Sequence, residues 1–142
     1  MRKERLKKMM LSGLVAGIIL SILSYGGLFA AVSIKFFNPF FVEYLSGVFI
    51  SDQSRDIFFY THALVISFAL AFFWDRFKSV FKGHIIIRGL EFGVVYSLTG
   101  LLPILWMTYS QIDVSITMVL SWFGFGFFQS SMAGIIFAKM NP

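Results

Sequence analysis

The sequence predicts an all-α integral membrane protein, a four-transmembrane-helix bundle with both termini cytoplasmic and a short interfacial or re-entrant segment between the first two helices. Three observations predict it. Of 142 residues, 58% are hydrophobic and 13% charged, and the mean hydropathy is +0.81, against the roughly 45–50% apolar and 25% charged usage of a soluble domain. The apolar residues gather into four long runs, each near the about 20 residues that a helix needs to cross a hydrocarbon core. Of twelve Lys and Arg, ten fall on one side if those runs alternate in direction, which the positive-inside rule reads as the cytoplasm.

After a basic head containing Arg2, Lys3, Arg5, Lys7 and Lys8, the first span covers about 9–34 without a charge. The head and the triplet Ala31-Val32-Ser33 resemble a cleavable signal peptide, but the run is longer than such a segment needs, so the span is expected to be retained. Next comes the long outer connection. Asn38-Pro39 marks a turn, and the following aromatic stretch predicts an interfacial helix or re-entrant cover over about 38–50 that anchors at the membrane surface. The second span, 57–74, ends at Asp75-Arg76. The third, 85–107, carries Arg88 and Glu91 near its start and Pro103 near its end, and the fourth, 114–138, is uncharged. The whole chain, 1–142, reads as a single membrane domain.

A weak internal repeat aligns the ten residues from Ser12 with those from Arg88, matching Gly13 with Gly89, Leu14 with Leu90, Gly17 with Gly93 and Ser21 with Ser97. Both segments run outward, so this would be a parallel two-plus-two repeat. Gly13-x-x-x-Gly17 and Gly89-x-x-x-Gly93 place small residues one turn apart, where a neighbouring backbone can approach closely. They are expected to pack the first and third helices against each other.

Chemistry is constrained mostly by what is missing. With no cysteine there is no thiolate nucleophile, disulfide exchange or cysteine-ligated cluster. The net charge of +5 lies beside apolar runs rather than on an aromatic-interleaved face, which points to anionic lipid and not to nucleic acid. Glu91 is the carboxyl well inside a predicted span, roughly 9 Å along the axis from Ile85. A charge there is costly, so it is expected to face the bundle and pair with Arg88 one turn away. Gln129, Ser130 and Ser131 sit at a similar depth on the fourth span, so Arg88, Glu91, Gln129, Ser130 and Ser131 form a candidate intramembrane polar cluster. His62, near the outer end of the second span, is a candidate outer-side polar site. His84 lies on the opposite side, so the two cannot together ligate a haem. Trp74, Trp106, Tyr25, Tyr109 and the many phenylalanines fit interfacial belts and helix packing.

No metal or cofactor site is expected: the spacing offers no phosphate loop, paired zinc-type histidines or serine–histidine–acid set. Small multidrug exporters are similar in length and layout but carry a membrane-embedded glutamate in the first helix, where this chain has none. Membrane-associated glutathione-dependent enzymes carry a charged signature in the second helix that 57–74 lacks. The leading expectation is a non-enzymatic accessory, assembly or interaction subunit of the inner or plasma membrane, with the lipid bilayer and a protein partner or second copy as its contacts. Transport of a small solute or proton through Glu91 is the alternative, and a membrane enzyme or haem carrier the third.

Overall fold

An apolar run withdrawn from water has to satisfy its backbone polar groups internally, and an α-helix does so residue by residue. The computed structural model describes residues 2–35 and 53–142 of the chain; the interfacial segment expected over 38–50 lies outside them. The described residues are helical throughout apart from turns and short connections, and four helical stretches are long and apolar enough to cross a membrane.

Helix α1 (Arg2–Ser33) extends the first apolar run through the basic head without a break. Helix α2 (Asp56–Phe77) follows a 3-10 turn at Gln53–Arg55. The connection from α2 to the next helix turns at Gly83, whose φ of +94° lies in the left-handed region open to glycine. His84 then caps helix α3 (Ile85–Tyr96), its Nδ1 accepting from the Ile86 N–H at 3.5 Å.

The third apolar run is not one regular helix. Ser97–Leu101 widens into a π turn before helix α4 (Leu102–Gln111) resumes. Pro103 sits in the first turn of α4 and has no N–H to give the preceding turn, which a π bulge accommodates. The Leu102 N–H reaches back to the Ser97 carbonyl, and the Thr99 hydroxyl donates to the Val95 carbonyl at 2.7 Å. The run therefore continues past the expected end at Met107, to Gln111. Helix α5 (Ile116–Met140) starts at Ser115, whose hydroxyl accepts from the Met118 N–H at 3.2 Å.

The packing is two antiparallel pairs. Helix α1 lies on α2, α3 lies on α5, and α5 also touches α1 and α2. The expectation that the first and third helices pack through their glycines is corrected: each glycine pair faces the other helix of its own pair. A Cβ on Gly13 would lie 2.9 Å from the Phe68 ring and 3.2 Å from the Ala71 methyl. One on Gly17 would lie 2.6 Å from the Ser67 hydroxyl and 2.7 Å from Leu64. In the second pair Gly89 meets the Ile135 backbone, and Gly93 meets the Ser131 hydroxyl. The reason is topological. A two-plus-two layout gives each first helix its own antiparallel neighbour, and small residues let that neighbour approach.

The main core sits toward the end of the bundle that carries the basic residues. It joins Ala16 and Leu20 of α1, Ala63, Leu70, Ala71 and Trp74 of α2, Phe81, Phe92 of α3, and Ala133 and Phe137 of α5. A smaller cluster of Leu105, Val114, Met118 and Val119 closes the far end. Trp74 is fully buried, in helix packing and not in a belt, the second of the two places expected for it. It stacks on Phe81 at 5.5 Å between centroids and takes the edge of Phe92 at 5.4 Å. Trp106 is 71% exposed, as a belt residue would be.

Candidate functional site

The polar chemistry of the described residues concentrates at the basic end of the bundle. Asp75, one residue beyond the second apolar run, is buried. Arg5 Nε donates to its Oδ2 at 2.7 Å and Arg5 Nη2 to its carbonyl at 2.9 Å. The buried Asn141 amide donates to Asp75 Oδ1 at 3.4 Å, while the Trp74 indole N–H donates to the Asn141 carbonyl at 2.9 Å. Lys78 Nζ reaches Asn141 Oδ1 at 2.7 Å and the Pro142 main-chain oxygen at 2.8 Å, with Asp75 Oδ1 at 4.0 Å. The head of α1 and the ends of α2 and α5 are thus tied by one network around the Asp75 carboxylate.

Cations outnumber that carboxylate. Burial pushes the Lys78 ammonium below its ordinary range; Asp75 pulls the other way, and Arg5, Lys8 and Arg88 add to the depression. Arg88 lays its guanidinium over the Trp74 ring, 5.1 Å from the centroid, and donates to the Lys78 carbonyl at 3.4 Å. Its Nε is enclosed without a partner.

The five residues of the expected intramembrane cluster do not converge. Glu91 is exposed on the outer side of α3, and Arg88 turns to Trp74 instead of to it. Gln129 is buried and faces α1, donating from Nε2 to Ser24 Oγ at 2.8 Å. Ser130 returns its hydroxyl to the Gly126 carbonyl of its own helix at 2.8 Å. Ser131 fills the space left by Gly93, and its hydroxyl has no partner. Equal depth on two helices did not specify equal direction. At 3.6 residues per turn, Gln129 and Ser131 point about 160° apart around α5.

His62 is exposed, with Nδ1 2.6 Å from the Phe59 carbonyl, a contact that requires a proton on Nδ1. Its ring leans on Phe59. Among the described residues, no three His, Asp or Glu side chains gather closely enough to hold a metal ion. The network around Asp75 was not anticipated from the sequence. The available signal was a lone acid among Arg76, Lys78 and Lys82 directly after a tryptophan.

Comparison with known protein families, with curated proteins and with solved structures finds no match to this chain.

Proposed function

We propose that the protein is a multi-pass membrane protein of the inner or plasma membrane, with both termini in the cytoplasm, that acts as a non-enzymatic interaction or assembly subunit. The observation that carries this reading is the placement of Glu91. It projects outward from the bundle on the stripe formed by Ile87, Val94, Val95 and Leu98, all exposed. An apolar helix face crossed by one carboxylate, roughly 9 Å along the axis from Ile85, is poorly matched to lipid alone, because an unpaired charge within hydrocarbon costs a few kcal/mol. A partner helix bearing Lys or Arg at that depth, on an otherwise apolar side, would supply both the cation and the packing. Transport through Glu91 needs the carboxylate on an interior route, and its outward position favours the interaction reading.

The test is a photo-crosslinker at Val94 in native membranes. Wild type should give a discrete adduct that is lost in Glu91→Gln, while the purified variant keeps wild-type thermal stability. An adduct pattern unchanged in both Glu91→Gln and Glu91→Lys refutes the proposal. For orientation, the ten-to-two partition of basic residues supports the cytoplasmic assignment. A reporter active only in the periplasm, fused after Pro142, should stay silent; strong signal would reverse the topology.

A further inference from the structure

Between the end of α2 and the start of α3, the chain borders a shallow, open cleft of about 400 Å³ at the basic end of the bundle, lined by Lys78, Ser79, Phe81, Lys82, Gly83, Arg88 and Pro142. That volume is within the range of small-ligand sites. Three of the lining side chains are cations and none is a carboxylate. Asp75, the nearest acid in the network, is already engaged by Arg5 at 2.7 Å, and its Oδ1 lies 4.0 Å from Lys78. No described carboxylate pairs with Arg88 or Lys82. The cleft therefore holds two cations, Lys82 and Arg88, without a carboxylate partner among the described residues, beside Lys78 with Asp75 at 4.0 Å, over an aromatic floor, Phe81 stacked on Trp74.

Its position is as informative as its charge. The cleft opens where the apolar stretches end, at Phe77 and Ile85. Exposed apolar side chains adjoin the lining residues in the chain: Val80 is 68% exposed, and Ile86 and Ile87 are each 52% exposed. A ligand seated here would place an anionic group among Lys78, Lys82 and Arg88 with the Ser79 hydroxyl beside it, and would run any hydrocarbon it carried along those three side chains.

We propose that this cleft is a binding site for the phosphate-bearing headgroup of an anionic phospholipid of the cytoplasmic leaflet. The proposal rests on the membrane placement given above but not on the role of Glu91. Basic pockets at helix ends on the cytoplasmic side suit such headgroups, because the leaflet is anionic and each nearby Lys or Arg adds to the attraction. Binding would also restore what burial takes from Lys78, since an anion beside the ammonium favours its charged form.

The experiment is native mass spectrometry of the detergent-purified full chain titrated with phosphatidylglycerol, with phosphatidylcholine, and with inorganic phosphate. Phosphatidylglycerol should bind in preference to phosphatidylcholine. Lys82→Gln, an exposed position outside the Asp75 network, should weaken it about fivefold, the share of one basic residue near an anionic surface. Lys139→Gln and Glu91→Gln, away from the cleft, should leave it unchanged. Equal binding of the two lipids would overturn the proposal, as would an equal loss in Lys139→Gln, which would mean diffuse attraction without a site. Inorganic phosphate displacing the lipid at equal concentration would assign the cleft to free phosphate and overturn the lipid source. Alkaline extraction of native membranes checks the underlying placement separately. Release of the chain into the wash would remove that placement, and the proposal with it, whatever the spectra showed.

Discussion

Replacing Gly89 with alanine tests the close approach of α3 to α5 directly. The new Cβ would lie 2.6 Å from the Ile135 backbone nitrogen and 3.0 Å from its Cα, while a Cβ on the facing Gly134 would lie 2.9 Å from both the Cα and the carbonyl oxygen of Gly89. These are backbone atoms, so no rotamer change relieves the overlap and one helix has to move off the other. Overpacking of this kind costs about 1–3 kcal/mol, and backbone against backbone belongs at the upper end. Alanine returns up to about 1 kcal/mol through helix propensity. The net loss is about 2 kcal/mol, roughly a 30-fold change in the folded-to-unfolded ratio. Gly124→Ala on α5 is the internal control, because nothing lies within 4 Å of its Cβ position. Unfolding by heat or by denaturing detergent should rank Gly124→Ala at or above wild type and Gly89→Ala well below. If Gly89→Ala were as stable as Gly124→Ala, the α3–α5 contact would not be as described.

Asp75→Ala should destabilise more than Arg5→Ala in thermal unfolding. It removes a buried acceptor of two side-chain donors, at about 1–3 kcal/mol, whereas Arg5 is 53% exposed and its deletion should cost below about 1 kcal/mol. Ser24→Ala should cost about 0.6 kcal/mol, the usual worth of an interhelical hydrogen bond in a membrane protein, by unpairing Gln129. A double-mutant cycle with Gln129→Ala isolates that coupling. Lys78 sets a pH dependence: its folded-state pKa lies below the ordinary 10.5, so its charged form is penalised on folding. Its contribution is therefore unfavourable below the lowered pKa, and stability should rise as pH climbs from there toward 10.5. Subtracting the Lys78→Met profile from wild type should show that rise, and a fall over the same window would reverse the sign.

How much of this was legible in the sequence depends on which physical signal each feature leaves. Span positions follow from apolar length, which is why four runs became four crossing-length helical stretches, with differences at their ends. The Pro103 bulge let the third continue to Gln111, and α1 ran back through the basic head to Arg2 because charge does not stop a helix. Direction around each helix is another matter. In a soluble helix the polar face marks the outside; in an apolar span both faces are hydrophobic, so neither the outward turn of Glu91 nor the burial of Trp74 was written in hydropathy.

Small residues were the signal that did carry direction, and they marked faces without naming partners. The complementary stripes stand in the sequence, Ala63, Ser67 and Ala71 on α2 and Gly126, Ser130, Gly134 and Ala138 on α5, all spaced by four and all buried. Set against Gly13 and Gly17, or Gly89 and Gly93, they would have favoured pairing within each half over pairing between the first and third helices. The structure also gives the weak repeat a physical content. Gly17 meets Ser67 as Gly93 meets Ser131, and Gly13 meets Ala71 as Gly89 meets Ile135, one turn along in each pair. The two halves share the residues at which backbones come closest and differ almost everywhere else. Close approach demands a particular side-chain size, which accounts for the matched glycines; the matched Leu14 and Leu90 are both exposed, and close approach does not account for them.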